Sequence, residues 1–126
     1  MTQHDATFNE VSQRIYQHLE ARDWLDNKPR DLAISISLEA SELLEHYQWS
    51  DKPVGSKDDI AEELADILIY AFEFALLHDI DIPAVINAKL EKAAQKYPAA
   101  NFKNKSKAER EASWLNAKLT HKKEGL

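Results

Sequence analysis

Hydrophobic positions recur along this chain at helical spacing, and five helices follow from them. Phe8, Val11, Ile15 and Leu19 fall three and four residues apart, which predicts a first helix over about Ala6 to Arg22. After a loop from Asp23 to Arg30, Leu32, Ile36, Leu43 and Tyr47 form an apolar stripe that Ile34 and Leu38 widen. This predicts a second, largely buried helix from near Asp31 to about Gln48, with Pro29 before or in its first turn. A loop over Ser50 to Lys57 leads to a third helix, capped by Ser56 or Asp58 and ending near Leu77. Its apolar set is Ile60, Leu64, Ile67, Leu68, Ala71, Phe72, Ala75 and Leu76. A fourth helix starts at Ile82-Pro83 and ends at Tyr97, with Val85, Ile86, Leu90 and Ala93 inward. A short fifth over Lys107 to Leu119 would dock Trp114 and Leu115.

The expected fold is therefore all-α: a four-helix bundle with a short extra C-terminal helix or tail. The third helix is apolar nearly all round apart from one acidic line, which predicts burial on several sides and an oligomer interface. Residues 1–98 are read as the helical domain and 99–126 as a basic tail. Composition agrees with the class. Two glycines and four prolines are too few for an all-β chain of 126 residues, and the lack of cysteine removes disulfides and thiolate chemistry. The polar stretch from Met1 to Glu10 does not suggest a signal peptide. The most apolar run, Ile67 to Leu77, contains Glu73 and is too short for a membrane span, so a cytoplasmic protein is expected.

Charge is unevenly distributed. Residues 1–98 hold nine basic and 19 acidic residues, net −10, whereas 99–126 hold seven and three, net +4. An acidic body disfavours a nucleic-acid groove, though not phosphates bound through metal ions. The basic tail reads as a solvated end, with acidic partners or nucleic acid as weaker alternatives.

The acidic line carries the chemistry. Glu39 and Glu42 lie at i and i+3 on the second helix, and Glu63 and Asp66 do so on the third. Each pair shares a helix face. An acidic pair alone is usually a solvated surface. Two equal pairs on the most apolar helices point instead to four converging carboxylates, which repel unless a cation offsets them. Mg²⁺ suits hard oxygen donors and shares them with substrate phosphates. A di-iron bundle is disfavoured because no His follows a Glu by three residues. His46, seven residues after Glu39, is a plain packed or exposed side chain first, and a contact to substrate or metal second.

These motifs resemble a known family. Arg22-Asp23-Trp24, Pro29-Arg30, Leu38 to Trp49, Glu62 to Tyr70, and Lys89 to Pro98 with its closing Lys-Tyr-Pro are similar to the MazG-like nucleotide pyrophosphohydrolases. The likeness spans about residues 8–98 and is greatest to the single-domain branch that hydrolyses dCTP.

The resemblance implies a homo-dimer or homo-tetramer, and Mg²⁺ (with Mn²⁺ as substitute) on Glu39, Glu42, Glu63 and Asp66. It implies hydrolysis of a deoxynucleoside triphosphate to the monophosphate and pyrophosphate. Glu39 is the candidate base. Trp24 and Trp49 match tryptophans around the nucleobase, Tyr70 a sugar- or base-pocket tyrosine, and Lys89 and Lys96 basic positions near the triphosphate. Core packing competes for both tryptophans and leads for Trp24. Trp114 lies outside the resemblance and reads as packing.

The chain departs from the family pattern at three places. Leu38 stands where many members have an extra Glu. Leu25-Asp26-Asn27-Lys28 replaces a loop that often carries an aromatic and a His. Ala93 replaces a fourth-helix Asn. Base preference is left open by these changes. The leading expectation is a housecleaning pyrophosphohydrolase. Phosphoribosyl-ATP and dUTP hydrolysis are alternatives within the superfamily, and a non-catalytic nucleotide- or partner-binding bundle is the alternative from another class.

Overall fold

Helix starts in this protein are fixed by short side chains that satisfy the free N–H groups of the first turn. In the computed structural model, which describes residues 5–123, Thr7 accepts from the backbone of Glu10 and opens α1, Phe8–Glu20. Pro29 occupies the first turn of α2, Pro29–Glu45, where its missing N–H costs nothing. Ser56 and Asp59 form a reciprocal capping box at α3, Lys57–Leu77, so Ser56 rather than Asp58 is the cap. Helix α4 covers Ile82–Lys96. Ser106 and Glu109 cap α5, Lys107–Lys123, in the same reciprocal way, and this helix runs four residues past its expected end.

The all-α expectation is met: the described residues contain five α-helices, a short 3₁₀ turn at Ala99–Asn101 and no strand. Among them, no helix is long and apolar enough to cross a membrane. Met1 to His4 of the polar start lie outside the described residues.

The chain divides into two compact units between Ile82 and Pro83. In the first, α3 packs on both α1 and α2. Leu19 and Leu32 lie 5% and 2% exposed, with Ala75 of α3 also buried. Burying a leucine this fully stabilises by about 1.5–3 kcal/mol. Phe8 and Phe72 join α1 to α3 with ring centroids 4.5 Å apart. In the second unit, Tyr97 meets Phe102 edge-on.

One packing expectation is corrected. Val85, Ile86 and Leu90 of α4 are about half exposed or more, as are Leu64 of α3 and Leu115 of α5. Periodicity identified an apolar face on each helix correctly, but the described residues leave these faces largely uncovered. Trp114 likewise is not core packing: it is partly exposed, with the Lys118 ammonium 4.5 Å from its ring.

Candidate metal centre and adjoining cavity

Because α2 and α3 pack together, their two acidic pairs meet. One oxygen from each of Glu39, Glu42, Glu63 and Asp66 lies within 4.8 Å of the others. Glu39 Oε2 and Glu63 Oε2 are buried and have no hydrogen-bond partner among the described residues. Leaving a buried acceptor unpaired costs about 1–3 kcal/mol. Burial, followed by the Glu42 carboxyl and then Asp66 and Glu63, raises the pKa of Glu39 above 4.5. Burial and Glu42 raise Glu63 likewise, opposed by His46. A hard divalent cation would resolve both the repulsion and the unpaired oxygens, so these four residues fit one.

His46 stands beside one member of this cluster. Its Nδ1 accepts the backbone N–H of Gly55 at 3.2 Å, which leaves the proton of a neutral ring on Nε2. That nitrogen lies 3.7 Å from Glu63 Oε1. His46 therefore stands beside a candidate ligand rather than loose on the surface.

A cavity of about 490 Å³ opens beside the cluster and shares Asp66 with it. Trp24, Tyr70, Asn27 and Glu73 are among its walls, with Leu19 and Leu32. The position of Trp24 follows from backbone geometry. Asp23 adopts a left-handed conformation (φ 55°), and the Trp24 N–H returns to Leu19 O at 2.9 Å, closing α1. Trp24 is 51% exposed on the cavity wall, which corrects the core-packing reading. Tyr70 lies one turn beyond Asp66 and lines the same cavity. Trp49 is 83% exposed and does not line it.

Two residues that sequence reasoning left out of the site belong to this wall. Glu73 is only 2% exposed, and Asn27 Nδ2 donates to its two carboxyl oxygens at 3.1 and 3.4 Å. Burial raises the Glu73 pKa and the Asn27 amide opposes the rise. The signal was present as a single carboxylate inside the apolar run Ile67 to Leu77, but its partner is 46 residues away.

In the second unit, Lys89 and Lys96 line a separate pocket with Lys92, Ala93, Tyr97 and His121. The Lys96 ammonium lies 5.4 Å from the Tyr97 ring centroid. The two lysines singled out in the sequence thus face one pocket.

The model of the MazG-like family matches residues 34–111, well over half of the chain, and the chain belongs to that family. It is similar to dCTP pyrophosphatase 1 from rat, at 29% identity over 103 residues, and from human, at 28% over 104. Each match covers 75% of this chain and 61% of the relative, so the chain spans about three-fifths of the length of these curated proteins. A crystal structure of a pyrophosphatase from Archaeoglobus fulgidus shares the fold with TM-score 0.64 and 31% identity, covering 78% of this chain and 98% of that one.

Proposed function

We propose that this protein hydrolyses deoxynucleoside triphosphates, dCTP-like or modified ones foremost, to the monophosphate and pyrophosphate with Mg²⁺. The role is removal of unwanted nucleotides. The convergence of four carboxylates within 4.8 Å beside a cavity of about 490 Å³ carries this reading. The dCTP pyrophosphatases to which the chain is similar support the choice of substrate.

Glu39, Glu42, Glu63 and Asp66 hold the cation in this reading. When bound, the cation supplies the positive charge that offsets the triphosphate and the leaving pyrophosphate. The chain's residues do the rest. Water adds its oxygen to the α-phosphorus, the bond from that phosphorus to the bridging oxygen breaks, and pyrophosphate leaves with that oxygen. Glu39 takes the water proton. Glu39 is given this role because its motif partner Glu42 reads as a plain ligand. Trp24 stacks on the base and Tyr70 lies along the sugar. The resemblance implies a phosphate role for Lys89 and Lys96, which line a pocket within the second unit. Trp49 is assigned to the base as well. At 83% exposed, it serves there only after its loop closes or a second copy approaches.

The exposed apolar faces of α3 and α4 support a homo-dimer or homo-tetramer, because a monomer rarely leaves so many large side chains uncovered. Sedimentation should then give a multiple of the 14.4 kDa chain mass.

The test of the function is product analysis from dCTP, the other deoxynucleotides and ribonucleotides, with and without Mg²⁺. Metal-dependent formation of monophosphate and pyrophosphate supports it. Nucleotide binding without turnover would favour a non-catalytic binding module.

A further inference from the structure

Glu73 poses a problem that the proposed chemistry leaves unsolved. A carboxylate 2% exposed, on an otherwise apolar stretch of helix, is expensive to keep. Among the described residues, its hydrogen-bond partner is one neutral amide. Asn27 Nδ2 reaches both carboxyl oxygens, and the same nitrogen also donates to Trp24 O at 3.3 Å. A carboxylate offers about four acceptor sites. One amide nitrogen divided between two oxygens and a carbonyl does not fill them.

The location suggests what would. Asp66, Tyr70 and Glu73 are at i, i+4 and i+7 of α3, so they form one line, and all three face the same cavity. At ~1.5 Å per residue, Glu73 lies about 10 Å along the axis from Asp66. A nucleotide whose phosphates lie at Asp66 would set its sugar beside Tyr70 and the far edge of its base at Glu73. Trp24, on the same wall, is tied to this pair through its carbonyl.

We propose that Glu73 selects the base: its carboxyl accepts a hydrogen bond from the exocyclic amino group at the edge remote from the sugar, and Asn27 positions it. Bases with an amino group there, cytosine and adenine, satisfy the carboxyl. Bases with a carbonyl there, thymine and uracil, bring two acceptors face to face in a buried place. A polar site left unmatched discriminates far more strongly than a missing apolar contact does. The inference rests on the reading of the protein as a deoxynucleotide pyrophosphohydrolase and deepens it, since stacking on Trp24 does not distinguish bases.

The experiment compares kcat/KM for dCTP and dTTP in the wild type, Glu73→Gln and Asn27→Ala, with Mg²⁺ present and folding checked by circular dichroism. The wild type should prefer dCTP by at least about tenfold, the scale of one lost buried hydrogen bond. Glu73→Gln keeps the shape but presents an amide that can donate to the thymine carbonyl, so the preference should collapse or invert. Asn27→Ala, at an exposed loop residue, should reduce the preference in the same direction and carries the test if Glu73→Gln does not fold. A purely structural Glu73 would lower stability in both variants and leave the ratio of the two substrates unchanged. That result, or equal use of dCTP and dTTP by the wild type, would overturn the inference. Should the wild type release no pyrophosphate from any deoxynucleotide, the pyrophosphohydrolase reading fails separately. Calorimetry with dCMP and dTMP then decides this one: tighter dCMP binding that Glu73→Gln abolishes sustains it, and its absence ends it.

Discussion

The backbone N–H of Gly55 donates to Nδ1 of His46, and this bond directs the other ring nitrogen toward Glu63. The two residues are in such close contact that a Cβ on Gly55 would lie 2.5 Å from His46 Cε1 and 2.7 Å from Nδ1. Gly55→Ala must therefore displace the imidazole. We expect a loss of about 1–3 kcal/mol in stability, as for other overpacked sites. We also expect roughly tenfold weaker Mg²⁺ activation, since Glu63 loses its neighbour. Thermal unfolding and a Mg²⁺ titration of activity check the two effects. Unchanged Mg²⁺ dependence in a folded variant would remove His46 from the support of the site.

Asp66→Asn and Glu63→Gln separate function from folding. Each removes one negative charge from a repelling cluster, so unfolding without metal should occur at the same temperature as the wild type or higher. Turnover should fall by about 10²–10³, the usual scale for losing one charged group that acts on the transition state. Full activity in both variants would refute the metal assignment.

Stability without divalent metal should depend on pH with a definite sign. The carboxyls of Glu39, Glu63 and Glu73 are all shifted above 4.5 in the folded chain. Between 4.5 and those higher values the folded state holds more protons than the unfolded one, so these groups make stability fall as pH rises. Asp59 and Glu109 are shifted down by Ser56 and Ser106. Their contribution is complete above 3.8 and 4.5 respectively and is lost as pH drops through their lowered values. Saturating Mg²⁺ should abolish the decline above 4.5 that comes from Glu39 and Glu63. Denaturant unfolding at several pH values, with chelator and with Mg²⁺, measures this directly.

Much of this site was legible in the sequence because it depends on helical period. The spacing of Glu39 with Glu42 and of Glu63 with Asp66 places each pair on one face, and packing of α2 on α3 completes the cluster. What periodicity does not say is what covers a face. The stripe of Val85, Ile86 and Leu90 was correctly apolar and wrongly assumed to be buried. The core-packing reading of Trp24 failed because its place depends on the left-handed turn at Asp23, a local backbone choice and not a pattern. Asn27 stood in a loop noticed only for the residues it lacked. Its meaning depends on Glu73, which only the tertiary fold brings near.

Trp24→Ala should raise KM about tenfold for several bases alike and change kcat little, because an indole stacks on any base. A defect confined to one base would contradict generic stacking. A comparable rise in Trp49→Ala would support that indole's closing over the base in the loaded enzyme. Steady-state kinetics with dCTP, dATP and dTTP distinguish these results.

The most direct test of the central claim is hydrolysis of dCTP in oxygen-18-labelled water with Mg²⁺, with the products resolved by mass spectrometry. Attack at the α-phosphorus beside the four carboxylates predicts one labelled oxygen in the monophosphate and none in the pyrophosphate. Label in the pyrophosphate, or products of dCDP and phosphate, would contradict the account.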